Sequence, residues 1–132
     1  AGLKKQIMWD LFNKFTVKDV VELWGTGNET RDFIHVKDIV NAMELVINHC
    51  DFNADIINIA NGEQVKISTI AQIFKNVMHS DKAIRFNNVT RAGDPLNWEA
   101  NIDVLKSFGY HKAIELEDGI KSYITWAEKE LV

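Results

Sequence analysis

Val20-Val21-Glu22-Leu23-Trp24-Gly25-Thr26-Gly27-Asn28-Glu29-Thr30-Arg31-Asp32-Phe33-Ile34-His35-Val36 decides how the rest of the chain is read. It opens on Val20, Val21, Leu23 and Trp24, mostly β-branched or aromatic, which predicts a short buried strand. Gly25-Thr26-Gly27-Asn28 ends that strand as a turn, because glycine and asparagine tolerate positive φ and let backbone approach another group closely. Arg31 lies just beyond the turn. A strand end, a glycine turn and an arginine in close succession suit an anion, since guanidinium meets phosphate or carboxylate oxygens through two parallel hydrogen bonds.

Upstream, Leu3, Ile7, Met8, Leu11, Phe12 and Phe15 form one helical stripe, expected to pack near the opening strand. Downstream, Val36 to about His49 reads as a helix with Ile39, Val40, Met43, Val46 and Ile47 inward, and Asp38 in its first turn as a helix-start carboxylate instead of an acid catalyst. Asp55 to Ala60 reads as a short apolar strand ended by Asn61-Gly62. Ser68 is the expected N-cap of a helix through Met78, with Ile70, Ile73, Phe74 and Val77 buried. Ala83 to Phe86 is a strand, and Asn87 to Asn97 an aperiodic loop. Asp103 is expected to cap a short helix ending at Gly109, and Leu116 to Leu131 to form a last helix with Ile120, Ile124, Ala127 and Leu131 inward. Alternation of strands and helices predicts an α/β fold with four or five helices and two or three short, parallel strands.

The pattern Gly25-x-Gly27-x-x-x-Arg31-Asp32-Phe33-Ile34-His35-Val36-x-Asp38 resembles the entry to the substrate domain of the nucleotide-sugar epimerases and dehydratases, members of the extended short-chain dehydrogenase/reductase family. Ile57-Asn58-Ile59-Ala60-Asn61-Gly62 and Arg91-Ala92-Gly93-Asp94-Pro95 follow in the family's order. The likeness runs on through Leu105-Lys106-Ser107-Phe108-Gly109-Tyr110 and Leu116-Glu117-Asp118-Gly119-Ile120. Family members also carry a Gly-x-x-Gly-x-x-Gly dinucleotide loop and a Tyr-x-x-x-Lys pair. Neither occurs here: Tyr110 is followed at the fourth place by Ile114, and Tyr123 by Ala127. The resemblance therefore implies a small, mostly helical C-terminal substrate-binding domain without its Rossmann domain. It would be a single domain over residues 1–132, a piece of a larger enzyme and inactive alone.

The resemblance also implies residue roles. Arg31 and Arg91 would hold the diphosphate from two sides, with a structural pairing to Asp32 or Asp94 as the competing reading. Asp94 would accept from the ribose hydroxyls, which suits an acceptor-only group, or simply form the turn before Pro95. Glu22, Leu23 and Trp24 would flank the nucleobase, Trp24 being equally readable as plain core. Gly2, Leu3, Lys4 and Lys5 would line the diphosphate site, against the blander expectation of solvated lysines. His35 is expected to be a buried, hydrogen-bonded histidine and not a catalyst. The implied ligand is a UDP-, dTDP-, GDP- or CDP-linked sugar. NAD or NADP belongs to the parent enzyme, expected to be a homodimer, with no cofactor in this chain. A free-standing, non-catalytic nucleotide-sugar-binding or regulatory module is the other reading.

Composition narrows the function classes. The 132 residues are 46% hydrophobic and 26% charged, the balance of a globular domain. Lys plus Arg number 15 against 19 Asp plus Glu, a formal net charge of −4 with no long basic block, which argues against nucleic acid as a partner. Cys50 is the one cysteine, so no intramolecular disulfide forms and a cytoplasmic setting is expected. No apolar run reaches the ~20 residues of a membrane span. The four histidines and Cys50 show no metal-ligand spacing.

Overall fold

An apolar stripe at Ile7, Met8, Leu11, Phe12 and Phe15 winds α1 (Ile7–Val17), with Leu11, Phe12 and Phe15 buried and an Asp10–Lys14 ion pair one turn apart on its surface. The computed structural model describes residues 6–90 and 93–130. After α1 the chain forms β1 (Val20–Leu23), β2 (Thr30–Arg31), α2 (Val36–His49), β3 (Val65–Lys66), α3 (Ile67–Val77), β4 (Ala83–Phe86), α4 (Asp103–Ser107) and α5 (Leu116–Glu130). The expectation of Leu3 and Leu131 as inward residues lies outside the described residues.

β1 and β4 pair in parallel, Val20 with Ala83 through Leu23 with Phe86. β2 and β3 pair antiparallel, Thr30 with Lys66 and Arg31 with Val65. The described residues thus hold four strands instead of two or three, and the parallel expectation holds for only one of the two pairs. The principal core joins α1, β1, α3 and α5: Leu11, Phe12 and Phe15, Val21 and Leu23, Ile70, Ala71 and Phe74, then Ile120, Ile124 and Ala127. Phe74 is its centre, stacked on Phe15 with ring centroids 6.4 Å apart and meeting Tyr123 edge-on at 6.3 Å.

A smaller core gathers Ala42 of α2, Ile102, Leu105 of α4 and Tyr110. Here the expected inward face of α2 is corrected. Asp38 and Ala42 are its buried residues, whereas Val40 and Ile47 are 61% and 62% exposed, and Val36 and Met43 are exposed with them. These four residues form a second apolar stripe at i, i+4, i+7 and i+11, facing away from the α4 side. Asp38 does more than start a helix: its carboxylate accepts from the backbone N–H groups of Ala113 and Ile114 at 3.2 and 3.3 Å, fastening the segment that leads into α5. His35 is half-buried and caps α2, its Nδ1 accepting from the Lys37 N–H at 3.2 Å.

Three further expectations are corrected. Asp55 to Ala60 joins no ladder, although Ile57, Ile59 and Ala60 pack on the smaller core while Ile56 points outward. Ser68 lies inside α3 and does not cap it: its N–H donates to Gly27 O at 3.0 Å, beside Ile67 N–H donating to Glu29 O at 2.9 Å. Asp103 is the first residue of α4, and Asn101 Oδ1 accepts its N–H at 2.9 Å. Among the described residues no helix is long and apolar enough to cross a membrane.

Candidate functional site

The carboxyl ends of the parallel pair open onto a cleft of about 1110 Å³. Ligands of α/β folds bind in this position because side chains and loops converge there beyond the strand ends. The chains leaving β1 and β4 stay stitched together: Asn87 N–H donates to Leu23 O at 3.0 Å, Gly25 N–H to Val89 O at 3.1 Å, and Asn88 N–H to Gly25 O at 2.9 Å. This holds Trp24 and Gly25 beside Val89 and Thr90 on the cleft wall.

The turn after β1 is filled from within. Glu29 folds its carboxylate back onto the N–H groups of Thr26 and Gly27 and onto the Thr26 hydroxyl, at 2.9 to 3.2 Å. Burial pushes the Glu29 carboxyl up, but the hydrogen bonds from Thr26, its own backbone and Gly27 outweigh that and hold it below the ordinary glutamate range. Gly27 has φ +83° and lies under the Phe86 ring, which leaves no room for a side chain.

β2 binds the opposite wall. Thr30 N–H donates to Leu96 O at 2.8 Å, and Trp98 N–H donates to Thr30 Oγ1 at 3.3 Å. Arg31 Nη1 donates to Thr30 O at 2.7 Å and Pro95 O at 2.9 Å, and its guanidinium carbon lies 5.7 Å from the centre of the Trp98 ring. Asp32 does not pair with Arg31. Its carboxylate accepts from the N–H groups of Asn61 and Gly62, each at 2.9 Å, and of Ala100 at 3.3 Å, drawing three segments together. Among the described residues no carboxylate forms an ion pair with Arg31. Among the described residues Lys14 is the other cation on the cleft, and it is matched by Asp10. Among the described residues the arrangement therefore presents one unmatched guanidinium, hydrogen-bonded to protein at one nitrogen only, which is the chemistry of an anion site.

Of the residues expected from sequence, Leu23, Trp24, Arg31 and Asp94 line this one cleft. Trp24 is 56% exposed, so the plain-core reading is corrected. Glu22 is exposed and is not among the lining residues; alternation along β1 sends Val21 and Leu23 inward and Glu22 the other way. Arg91, with Gly2, Leu3, Lys4 and Lys5, lies outside the described residues; Thr90, its neighbour in the chain, is on the cleft. Trp98 and Glu29 were not anticipated. A tryptophan in an otherwise polar loop, and a carboxylate two residues past a Gly-x-Gly turn, were the available signals.

A second, apolar pocket of about 340 Å³ lies between the Phe33–Val36 segment and α5, lined also by Met8, Leu116, Tyr123 and Trp126. Among the described residues no group of three or more His, Cys, Asp or Glu is arranged to hold a metal ion.

Residues 2–60 match the model of the NAD dependent epimerase/dehydratase family. GDP-L-fucose synthase 1 of Arabidopsis thaliana is 26% identical over 111 residues, 84% of this chain and 34% of that protein. The chain spans about a third of the length of the curated relatives it matches. Among solved structures, UDP-glucose 4-epimerase of Thermotoga maritima, with UDP-glucose, superposes with a TM-score of 0.84 at 22% identity, over 96% of this chain and 40% of that one. The GDP-mannoheptose C4 reductase of Campylobacter jejuni, with NADP bound, gives 0.78 at 26% identity, over 94% and 45%. On the match over residues 2–60, these relatives and the shared fold, the chain is similar to the NAD dependent epimerase/dehydratase family.

Proposed function

We propose that this chain holds the nucleoside diphosphate of a nucleotide sugar for an NAD- or NADP-dependent epimerase, dehydratase or reductase. The observation that carries the proposal is Arg31: a guanidinium anchored by two backbone carbonyls, without a carboxylate partner among the described residues, on the same cleft as Trp24 and Asp94. Arg31 and Arg91 meet the diphosphate oxygens. Asp94 accepts from the ribose hydroxyls, and Leu23 and Trp24 flank the base, with Glu22 contributing backbone only. Holding the diphosphate fixes the attached sugar in a reactive orientation, which is how binding energy far from the reacting atoms becomes rate.

The dinucleotide itself does not fit the one Gly-x-Gly turn present. The Thr26 and Gly27 N–H groups that would meet a pyrophosphate are taken by Glu29, and the turn leads into β2 and not into a helix N-terminus. The proposal therefore assigns NAD or NADP to a further domain of a longer protein. Two features support such a domain: the exposed stripe of Val36, Val40, Met43 and Ile47, and the extended 55–60 segment with no ladder of its own.

The test is Arg31→Ala and Arg91→Ala in the full-length protein. Hydrogen bonds to charged groups contribute about 1.5–3 kcal/mol, so each substitution is expected to raise KM for the nucleotide sugar by roughly tenfold or more. Unchanged kinetics in both variants would sink the diphosphate assignment.

A further inference from the structure

Arg31 has five N–H donors. The two on Nη1 are used by Thr30 O and Pro95 O, and those on Nη2 and Nε have no protein acceptor among the described residues. Two carbonyl bonds to one nitrogen hold that end of the guanidinium, while the Nη2 and Nε side is held by no protein hydrogen bond among the described residues. The Trp98 ring stands against it, 5.7 Å from ring centre to Cζ, within the reach of a cation–π contact. Trp98 is itself held: its N–H donates to Thr30 Oγ1, and Thr30 N–H donates to Leu96 O two residues earlier. The same short strand therefore carries the guanidinium and anchors the loop that presents the indole. Trp98 is exposed and lines the cleft.

We propose that Trp98 is a positioning residue for the anion site: its indole backs the Arg31 guanidinium and keeps the unused donors turned to the cleft before a ligand arrives. The inference rests on the diphosphate reading of Arg31. It assigns Trp98 an effect on the phosphate end of the ligand, exerted through Arg31 and not through stacking on the base. Preset donors bind more tightly because less side-chain freedom is lost on binding.

The test is calorimetric titration of the full-length protein with UDP, dTDP, GDP, CDP and inorganic pyrophosphate, in the unsubstituted protein, Trp98→Leu, Trp98→Phe, Arg31→Gln and Arg31→Gln with Trp98→Leu. Trp98→Leu is expected to weaken pyrophosphate and the best-bound nucleoside diphosphate by the same factor, about three- to tenfold from the size of cation–π contacts. Trp98→Phe keeps a ring face and is expected to restore most of that loss. In the Arg31→Gln background the Trp98→Leu change is expected to have no further effect. A loss for the nucleoside diphosphate but not for pyrophosphate, or an equal loss in both Arg31 backgrounds, overturns the inference and makes the indole a direct ligand contact. Lowered thermal stability with unchanged affinity in Trp98→Leu also overturns it, as a purely structural role. If Arg31→Gln leaves affinity untouched, or the unsubstituted protein binds none of the five, the diphosphate reading falls and this inference with it.

Discussion

Gly27 is where the cleft has the least tolerance for change. At φ +83° an alanine adopts the left-handed region, which costs about 1–2 kcal/mol for an L-residue. Its Cβ would also lie 2.7, 2.8 and 2.9 Å from Cζ, Cε2 and Cε1 of Phe86. Carbon atoms pack at about 3.5–4.0 Å, so the Phe86 ring must yield by close to an ångström. That ring packs against the principal core at the end of β4, and forced repacking of this kind costs about 1–3 kcal/mol. Gly27→Ala is thus expected to lose about 2–5 kcal/mol. Gly109 supplies the control: its φ is +88°, and a Cβ there meets nothing within 4 Å, so Gly109→Ala bears the backbone term alone, about 1–2 kcal/mol. Urea unfolding followed by far-ultraviolet circular dichroism measures both. A difference between the two variants below about 0.5 kcal/mol would refute the claim that contact with Phe86, and not backbone conformation, governs this position.

Two further outcomes follow from the charge of the turn and from the bare side of α2. Because the folded Glu29 carboxyl titrates below the unfolded one, its contribution is complete above the unfolded glutamate value, about 4.3, and is lost as pH falls through the lowered folded value. The stability gap between the unsubstituted chain and Glu29→Gln should therefore narrow on acidification in urea titrations; a gap independent of pH would exclude the carboxylate as its source. Val40→Asp should change the stability of the 132-residue chain by less than about 0.5 kcal/mol, as exposed positions do, while reducing its self-association in sedimentation. In the full-length protein the same change should cost about 2 kcal/mol or more if a further domain covers that stripe; equal small effects in both would argue that the stripe stays open.

Where local pattern and packing agree, the sequence was enough to delimit the elements. α2 and β4 have the expected bounds, and Ile120, Ile124 and Ala127 turn inward as their spacing requires. What local pattern does not carry is the identity of a distant partner. Asp55 to Ala60 has strand composition, but a ladder depends on a neighbour, and none lies beside it among the described residues. β3 sits in a polar stretch and exists because Thr30 and Arg31 lie alongside it. α2 is apolar on two sides, and only the position of α4 decides which is covered. The cleft shows the same division. Arg31, Trp24 and Asp94 were legible because motif and turn chemistry placed them at a strand end and a loop. Trp98 was not, because its significance depends on the cross-chain approach of Pro95 and Trp98 to β2.

The parallel register of β1 with β4 bears on how the molecule is made. Val20 waits for Ala83, so 62 of the 132 residues intervene before the pair can close. Closing so large a loop carries an entropic cost that nearby contacts do not repay, and parallel pairs between distant segments form slowly. On the ribosome, α1 and α2 emerge complete while β1 is still an unpaired strand edge carrying Val20, Val21 and Leu23. The cleft comes into being only when β4 is released and Asn87 to Val89 can stitch onto Leu23 and Gly25. Interruption of synthesis before Ala83 would therefore leave an exposed, aggregation-prone edge in place of a weakened binding site.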